Sequence, residues 1–247
     1  MNKESKQLLL LLLDLYEYST AYKVAQKLQH CPKEVLELLY ILKERRELNI
    51  DPAVESGQVQ NASKETEQLS NYLLDLEVKL KKGQIIDFVR AVSPLIYRLF
   101  LRIVLEKIPN LKDYIYDAKD HRYDTWKRSA LQESDNAVLR HFKPERIVTS
   151  NSLSLLIQNL DFPKDVKEKV EQLRYLERTV RNPLAHLIKP FDEEELHRTT
   201  QFSSQTFFNL LVDLARQTGI SYLTEFYFDT CNQTIRHLLD DSEKTAE

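Results

Sequence analysis

Residues 164–190 read KDVKEKVEQLRYLERTVRNPLAHLIKP, and the spacing of their apolar positions decides the fold class. Val166, Val170, Leu173, Leu176 and Val180 stand 4, 3, 3 and 4 residues apart. At about 100° per residue they form one seam covering roughly 120° of a helical wheel, so a helix is predicted over 164–180. Arg174, Arg178 and Arg181, spaced 4 and 3, make a second stripe beside the seam, while Glu177 falls inside the apolar arc. A carboxylate in that position is costly unless it is paired. Arg181, four residues on, has the favourable acid-before-base spacing and is the expected partner. The pair is either a plain intrahelical salt bridge or a clamp that holds the Arg181 guanidinium in place.

The dipeptide that follows adds a boundary. Asn182 is a favoured N-cap and Pro183 a favoured first helical residue, so one helix is predicted to end around Arg181 and another to start at Pro183. Pro190 should stop the second one early. The unpaired amides of a helix start and the positive end of its dipole suit an anion. Arg181 overhangs the same entrance, and His186 lies in the next turn. A phosphodiester there would meet a guanidinium, a helix N-terminus and an imidazole, the parts that RNA transesterification requires. The imidazole moves protons between the 2′-hydroxyl and the leaving oxygen, and arginine stabilises charge on the phosphorane. None of the other fourteen arginines has a histidine five positions on.

Outward from this segment the helical period continues, and strand-like alternation is hard to find. Residues 84–107 are the strongest amphipathic stretch, with Ile85, Phe88, Val89, Val92, Leu95, Ile96, Leu99, Phe100, Ile103 and Val104 at three- and four-residue spacing. Pro94 should bend it or break it after Val92. Arg98 and Arg102 flank its stripe; solvated charges are the default reading, RNA contacts the alternative. Upstream, three helices are expected over Lys3–Tyr18, Ala21–Gln29 and Lys33–Leu48, separated by Ser19-Thr20 and Cys31-Pro32. The polar run 49–63, with its Asp-Pro and Ser-Gly, reads as a linker, and a helix resumes over Lys64–Lys82 before Gly83. Between Pro109 and Ser150 the periodicity is poor, which suggests a partly helical insertion; a helix at about Ser152–Leu160 follows it.

Composition narrows the function classes. Three glycines in 247 residues leave no Gly-rich phosphate loop, which argues against a Rossmann-like domain. With a formal net charge of −3 there is no global positive field, so nucleic acid would have to bind in a local basic groove. Cys31 and Cys231 lack metal or CxxC spacing and read as reduced thiols of a cytoplasmic protein. His30, His121, His141, His197 and His237 form no metal-ligand spacing, although His197 could approach the site, and the acids Glu193, Glu194 and Glu195 suit the first turn of a helix better than magnesium. No metal or other cofactor is expected. The apolar run Leu8–Leu13 is too short for a signal peptide or a membrane span.

Arg-x-x-x-x-His, with a polar residue directly after the arginine, in an all-α chain, resembles the signature of HEPN ribonucleases. The closer form Arg-Asn-x-x-Ala-His, residues 181–186, is similar to the HEPN domain of ancillary ribonucleases from type III-A CRISPR systems. That resemblance implies an all-α HEPN helical bundle preceded by a short helical-hairpin connector, with the connector over residues 1–60 and the HEPN domain over 61–247. Tyr22–Glu55 looks like the connector, and the tracts around Phe191–Glu195 and Phe202–Ser204 resemble the segment after the motif. It also implies that Arg181 and His186 are catalytic, that Asn182 shapes the site and that Glu177 and Arg178 support it. Single-stranded RNA would be cut without metal to a 2′,3′-cyclic phosphate, in a site completed where two copies meet across a twofold axis; neither DNA nor a membrane is an expected partner. In one respect the chain departs: those ribonucleases carry an N-terminal CARF sensor domain, and this sequence starts where the connector would start. Activation by cyclic oligoadenylate is therefore not implied for this polypeptide, and a truncated, a shortened and a stand-alone form all stay open.

Two other readings compete. In the first, the chain is a non-catalytic HEPN scaffold or toxin–antitoxin partner in which Arg181 and His186 only hold the fold. The second is a nucleotide-binding HEPN domain working beside a nucleotidyltransferase. Loss of stability in His186→Ala would favour the scaffold; loss of RNA cleavage with stability kept would favour the nuclease.

Overall fold

A computed structural model describes residues 3–28, 30–117, 123–184 and 190–244. The elements run α1 (Lys3–Asp14), α2 (Tyr18–Ala25), α3 (Lys33–Arg46), α4 (Asp51–Glu55), α5 (Lys64–Lys81) and α6 (Ile85–Lys107). A 3-10 turn (Leu111–Tyr114) leads to two short strands, β1 (Ile115–Tyr116) and β2 (Thr125–Trp126), then α7 (Arg128–Gln132), α8 (Ala137–His141), α9 (Ser150–Asn159) and α10 (Lys164–Leu176). A π-turn (Glu177–Arg181) joins α10 to α11 (Asn182–Leu184), and α12 (Glu193–Thr200), α13 (Ser204–Gln217) and α14 (Tyr227–Lys244) follow. The all-α class read from the apolar spacing holds: the one sheet among the described residues is the pair β1–β2. No described helix is long and apolar enough to cross a membrane.

Two compact units divide the chain, one of Met1–Gly83 with Gly219–Glu247, the other of Gln84–Thr218. In the first, the break between α1 and α2 falls at Tyr16, which adopts φ 55°, and Ser19-Thr20 lies inside α2. The cause is tertiary. The Tyr16 hydroxyl donates to Asp229 (2.8 Å) and that of Tyr18 to Asn232 (3.0 Å), and a continuous helix would not serve both. Pro32 is the N-cap residue of α3.

The polar run 49–63 is not a free linker. It contains α4, buries Ala53 and Asn61, and ends at a carboxylate hub. Glu67 accepts from the amides of Gln60 (3.1 Å) and Asn61 (3.0 Å) and from the Asn61 side chain (3.0 Å), while its other oxygen meets Arg45 at 2.7 Å. Arg45 is only 1% exposed and also donates to Asn71 and to the Gln58 carbonyl. Burial pushes the Glu67 carboxyl upward, but hydrogen bonds from Asn61 and Arg45, with the Arg45 charge, hold it below the usual range.

The core of the second unit is α6, which runs unbroken through Pro94 with the ring on its exposed side. All ten apolar positions read from the sequence are buried there. Helices α9 and α13 pack on α6, and α10 packs on both. Arg102 donates to the Thr218 carbonyl just past α13 (2.8 Å), and Arg98 lies against the Tyr97 ring. The described residues of the insertion, 109–117 and 123–150, are joined by β-type pairing that periodicity could not reveal. Ile115 pairs with Trp126 and Tyr116 with Thr125, and on the other edge the Trp126 amide donates to Arg146 and that of Val148 to Asp124. Trp126 is 4% exposed and meets Phe142 edge-on at 5.3 Å.

Candidate active site

Burial of Val166, Val170, Leu173, Leu176 and Val180 fixes α10 by the seam read from its spacing. Beyond Leu176 the backbone departs from expectation. The helix does not end at Arg181 and restart at Pro183; it continues through a π-turn, with Asn182 in the right-handed helical region (φ −66°, ψ −45°). Asn182 is therefore not an N-cap, and its amide donates to the Glu177 carbonyl. The reason lies in Pro183. A proline inside a helix lacks the N–H and crowds the carbonyl four residues back, and one widened turn before it absorbs the clash. The expected free helix N-terminus at this point is consequently absent, and charge on an anion here falls to side chains.

Glu177 is buried, 3% exposed, as its place in the apolar arc implied. Its partner is Arg174 at 2.5 Å and not Arg181. Arg174 is itself held by Ser150 Oγ (3.0 Å) and Asn151 Oδ1 (3.1 Å) at the start of α9, so it meets the buried carboxylate already in place. Helical side chains lean toward the N-terminus of their helix, which turns Glu177 to the preceding turn. Arg181 is left half-exposed, its hydrogen bond among the described residues being to Asn182 Oδ1 at 3.4 Å, and Arg178 and Asn182 are exposed. Among the described residues these three polar groups meet no carboxylate, while Val180 and Leu184 anchor the helix in the core.

His186 lies outside the described residues, with Ala185 and 187–189. At the last described position before them, the Leu184 carbonyl accepts from Arg90 of α6 at 3.3 Å. Sequence reasoning passed over Arg90, and no local pattern marks it, because its contact spans 94 positions. Arg174 stands three residues before Glu177, a spacing that admits the pair as readily as that of Arg181. On α12, His197 is exposed, Asp192 caps the helix through the Glu195 amide (2.9 Å), and Glu193 accepts from the Ser204 amide (2.8 Å). The acids there are helix and loop caps, and among the described residues no group of three His, Cys, Asp or Glu could hold a metal ion.

An all-α bundle carrying Arg-Asn-x-x-Ala-His after a long amphipathic helix is of the HEPN type. A family model described as the Cas_Csm6 HEPN domain matches residues 58–236. The chain belongs to that Csm6 HEPN family. Among solved structures, Enterococcus italicus Csm6 bound to cyclic hexa-2′-fluoro-hexa-dAMP is similar, with a TM-score of 0.74 and 16% identity over 95% of this chain. The match covers 56% of that relative, so the present chain spans little more than half its length. No curated protein matches.

Proposed function

We propose that this chain is a metal-independent endoribonuclease acting on single-stranded RNA in CRISPR or other antiviral defence, with Arg181 and His186 as its catalytic pair. The observation that carries the reading is the family match spanning the motif, joined to an arginine held half-exposed on a core-anchored helix end. In this reaction His186 accepts the proton of a 2′-hydroxyl, whose oxygen bonds to the adjacent phosphorus. The bond to the 5′-oxygen breaks, and that oxygen takes a proton from an imidazole, leaving a 2′,3′-cyclic phosphate and a 5′-hydroxyl. The Arg181 guanidinium, permanently charged, faces the negative phosphorane, with Asn182 shaping the site and Arg178 in support. Glu177 acts at one remove: through Arg174 it fixes the helix that carries the pair. One motif supplies one imidazole, so two copies related by a twofold axis complete the site, and the working form is a homodimer. We assign the connector to residues 1–60 and the HEPN domain to 61–247, which the start of the family match at residue 58 supports.

Cleavage of a labelled single-stranded RNA in excess EDTA tests this. Wild type should cut, and Arg181→Ala and His186→Ala should each lose at least about 100-fold in rate, the usual contribution of a positioned proton-transfer group. Dependence on Mg²⁺, or a fully active monomer, overturns the mechanism. A His186→Ala chain that simply unfolds favours the scaffold reading. The solved relative was captured with a cyclic oligonucleotide analogue. Adding cyclic oligoadenylate to the same assay measures whether this chain responds to one.

A further inference from the structure

The insertion between α6 and α9 separates its charges. Alternation along β1 turns Ile115 and Asp117 toward a cavity of about 750 Å³ that Asp124 also borders, and Tyr116 toward a different hollow of about 400 Å³. That second hollow adjoins a third of about 350 Å³, the two sharing Arg128. Lys127, Arg128, Arg140, Lys143 and Arg146 border the two hollows, and among the described residues no carboxylate lines either. Among the described residues none of the five forms an ion pair. Arg128 and Arg140 reach only the carbonyls of Pro144 (3.4 Å) and Asp135 (3.3 Å), and Lys127 Nζ lies 5.0 Å from the centre of the Tyr116 ring.

Lys127 and Arg146 belong to the hydrogen-bonded ribbon, while Arg128 opens α7 and Arg140 lies on α8. The Trp126 amide donates to the Arg146 carbonyl and the Lys127 amide to Tyr114, both at 2.9 Å, over a buried Trp126. A cluster of five cations with no carboxylate partner among the described residues, on a chain of net charge −3, is a local field that a polyanion would neutralise. Tyr116 is 53% exposed beside it and offers a ring face. Cations following a backbone with an aromatic platform between them are what an unpaired nucleic-acid strand requires, since every base has a face to stack. An acidic protein segment would use the charges and leave the ring idle.

We infer that this face binds single-stranded RNA, with Arg128, Arg140 and Arg146 on successive phosphates and Tyr116 under a base. The choice of RNA rests on the nuclease reading above. The face is covalently close to that site's support: two residues after Arg146 comes Val148, then the start of α9, where Ser150 and Asn151 hold Arg174.

The test is binding without cleavage, by fluorescence anisotropy of a 2′-O-methyl oligoribonucleotide over a salt series in the full chain. Such a strand has no free 2′-hydroxyl and cannot be cut. Replacing Arg128, Arg140 and Arg146 together with alanine should weaken binding at least about tenfold and lower the salt slope by about 2, three contacts at roughly 0.7 each. The triple lysine replacement should keep the slope, which separates lost charge from lost fold. Tyr116→Ala should cost about fivefold or more with the slope unchanged, and Tyr116→Phe should bind as wild type. Equal affinity and slope in wild type and the triple alanine variant overturn the inference, as does preference for poly-glutamate over the oligonucleotide. A chain that cleaves RNA in EDTA without the slope change keeps the nuclease reading and loses this face. The slope change in a chain that never cleaves does the reverse.

Discussion

Arg174 and Arg181 lie seven residues apart on one stripe, and their surroundings give them opposite duties. Arg174 neutralises a carboxylate that is 3% exposed, so Arg174→Met strands a buried charge and should cost about 3 kcal/mol or more. Arg181→Ala removes a half-exposed group and should leave stability nearly unchanged while abolishing cleavage. Urea unfolding of both variants checks the contrast, and Arg174→Met combined with Glu177→Leu should recover most of the loss, since neither charge then remains unpaired. Glu67 gives the pH counterpart. Its carboxyl titrates lower in the folded chain than in the unfolded one, so its contribution is complete above the unfolded value and fades as pH falls through the folded value. The urea midpoint should therefore drop on acidification below about pH 4, where an ordinary glutamate titrates. The gap between wild type and Glu67→Gln should narrow over the same range; a gap that widens would sink this account. In the candidate site, the sequence identified that Glu177 is buried and must be paired, because burial follows from the seam. It pointed to Arg181 as the partner and was wrong, because spacing admits Arg174 and Arg181 alike and the grip of Ser150 and Asn151 decides for Arg174.

Helix starts carry a second set of consequences. At α9 the Thr149 hydroxyl accepts from the Ser152 amide (3.2 Å) and the Ser152 hydroxyl from the Thr149 amide (2.9 Å), a reciprocal cap. Thr149→Ala should cost about 1 kcal/mol, and Thr149→Ser should cost little. Since the same turn presents Ser150 and Asn151 to Arg174, thermal unfolding and RNA cleavage should decline together in Thr149→Ala, and stability loss with unchanged cleavage would show that α9 does not support the site. Elements of this kind were legible wherever one physical signal dominated. The seams of α6 and α10 follow from apolar spacing, and the acids Glu193–Glu195 mark the start of α12, which Asp192 caps. The α10 extension was misread because Asn-Pro satisfies two rules at once: it can open a helix, or it can sit within one that widens by a turn. Two-residue strands such as β1 and β2 are too short for any period to register.

At the scale of the molecule, residues 219–247 return to join 1–83 in one unit, a pairing that local patterns are blind to because it depends on contacts more than 200 positions apart. Asn232 concentrates that return. Buried at 5% exposure, it donates to the Leu13 carbonyl where α1 ends (2.9 Å) and accepts from Tyr18 near the start of α2 (3.0 Å). One side chain thus satisfies the backbone at the break between the two helices and fixes the tyrosine that follows it. Asn232→Ala strips the buried Tyr18 hydroxyl of its partner and leaves the Leu13 carbonyl to the Tyr16 amide (3.0 Å), and should cost about 2 kcal/mol. A surface contact between the same elements supplies the control. Arg236 pairs with Asp14 where their side chains are 34% and 61% exposed, so Arg236→Ala should cost less than about 1 kcal/mol. Hydrogen exchange should then show the amides of α1 and α2 opening faster in Asn232→Ala than in Arg236→Ala, with the largest change at residues 13–18. Equal, small effects from the two substitutions would mean that apolar packing alone, through Leu9, Leu13 and Phe228, closes this unit, and that the buried polar links merely tolerate the break they span.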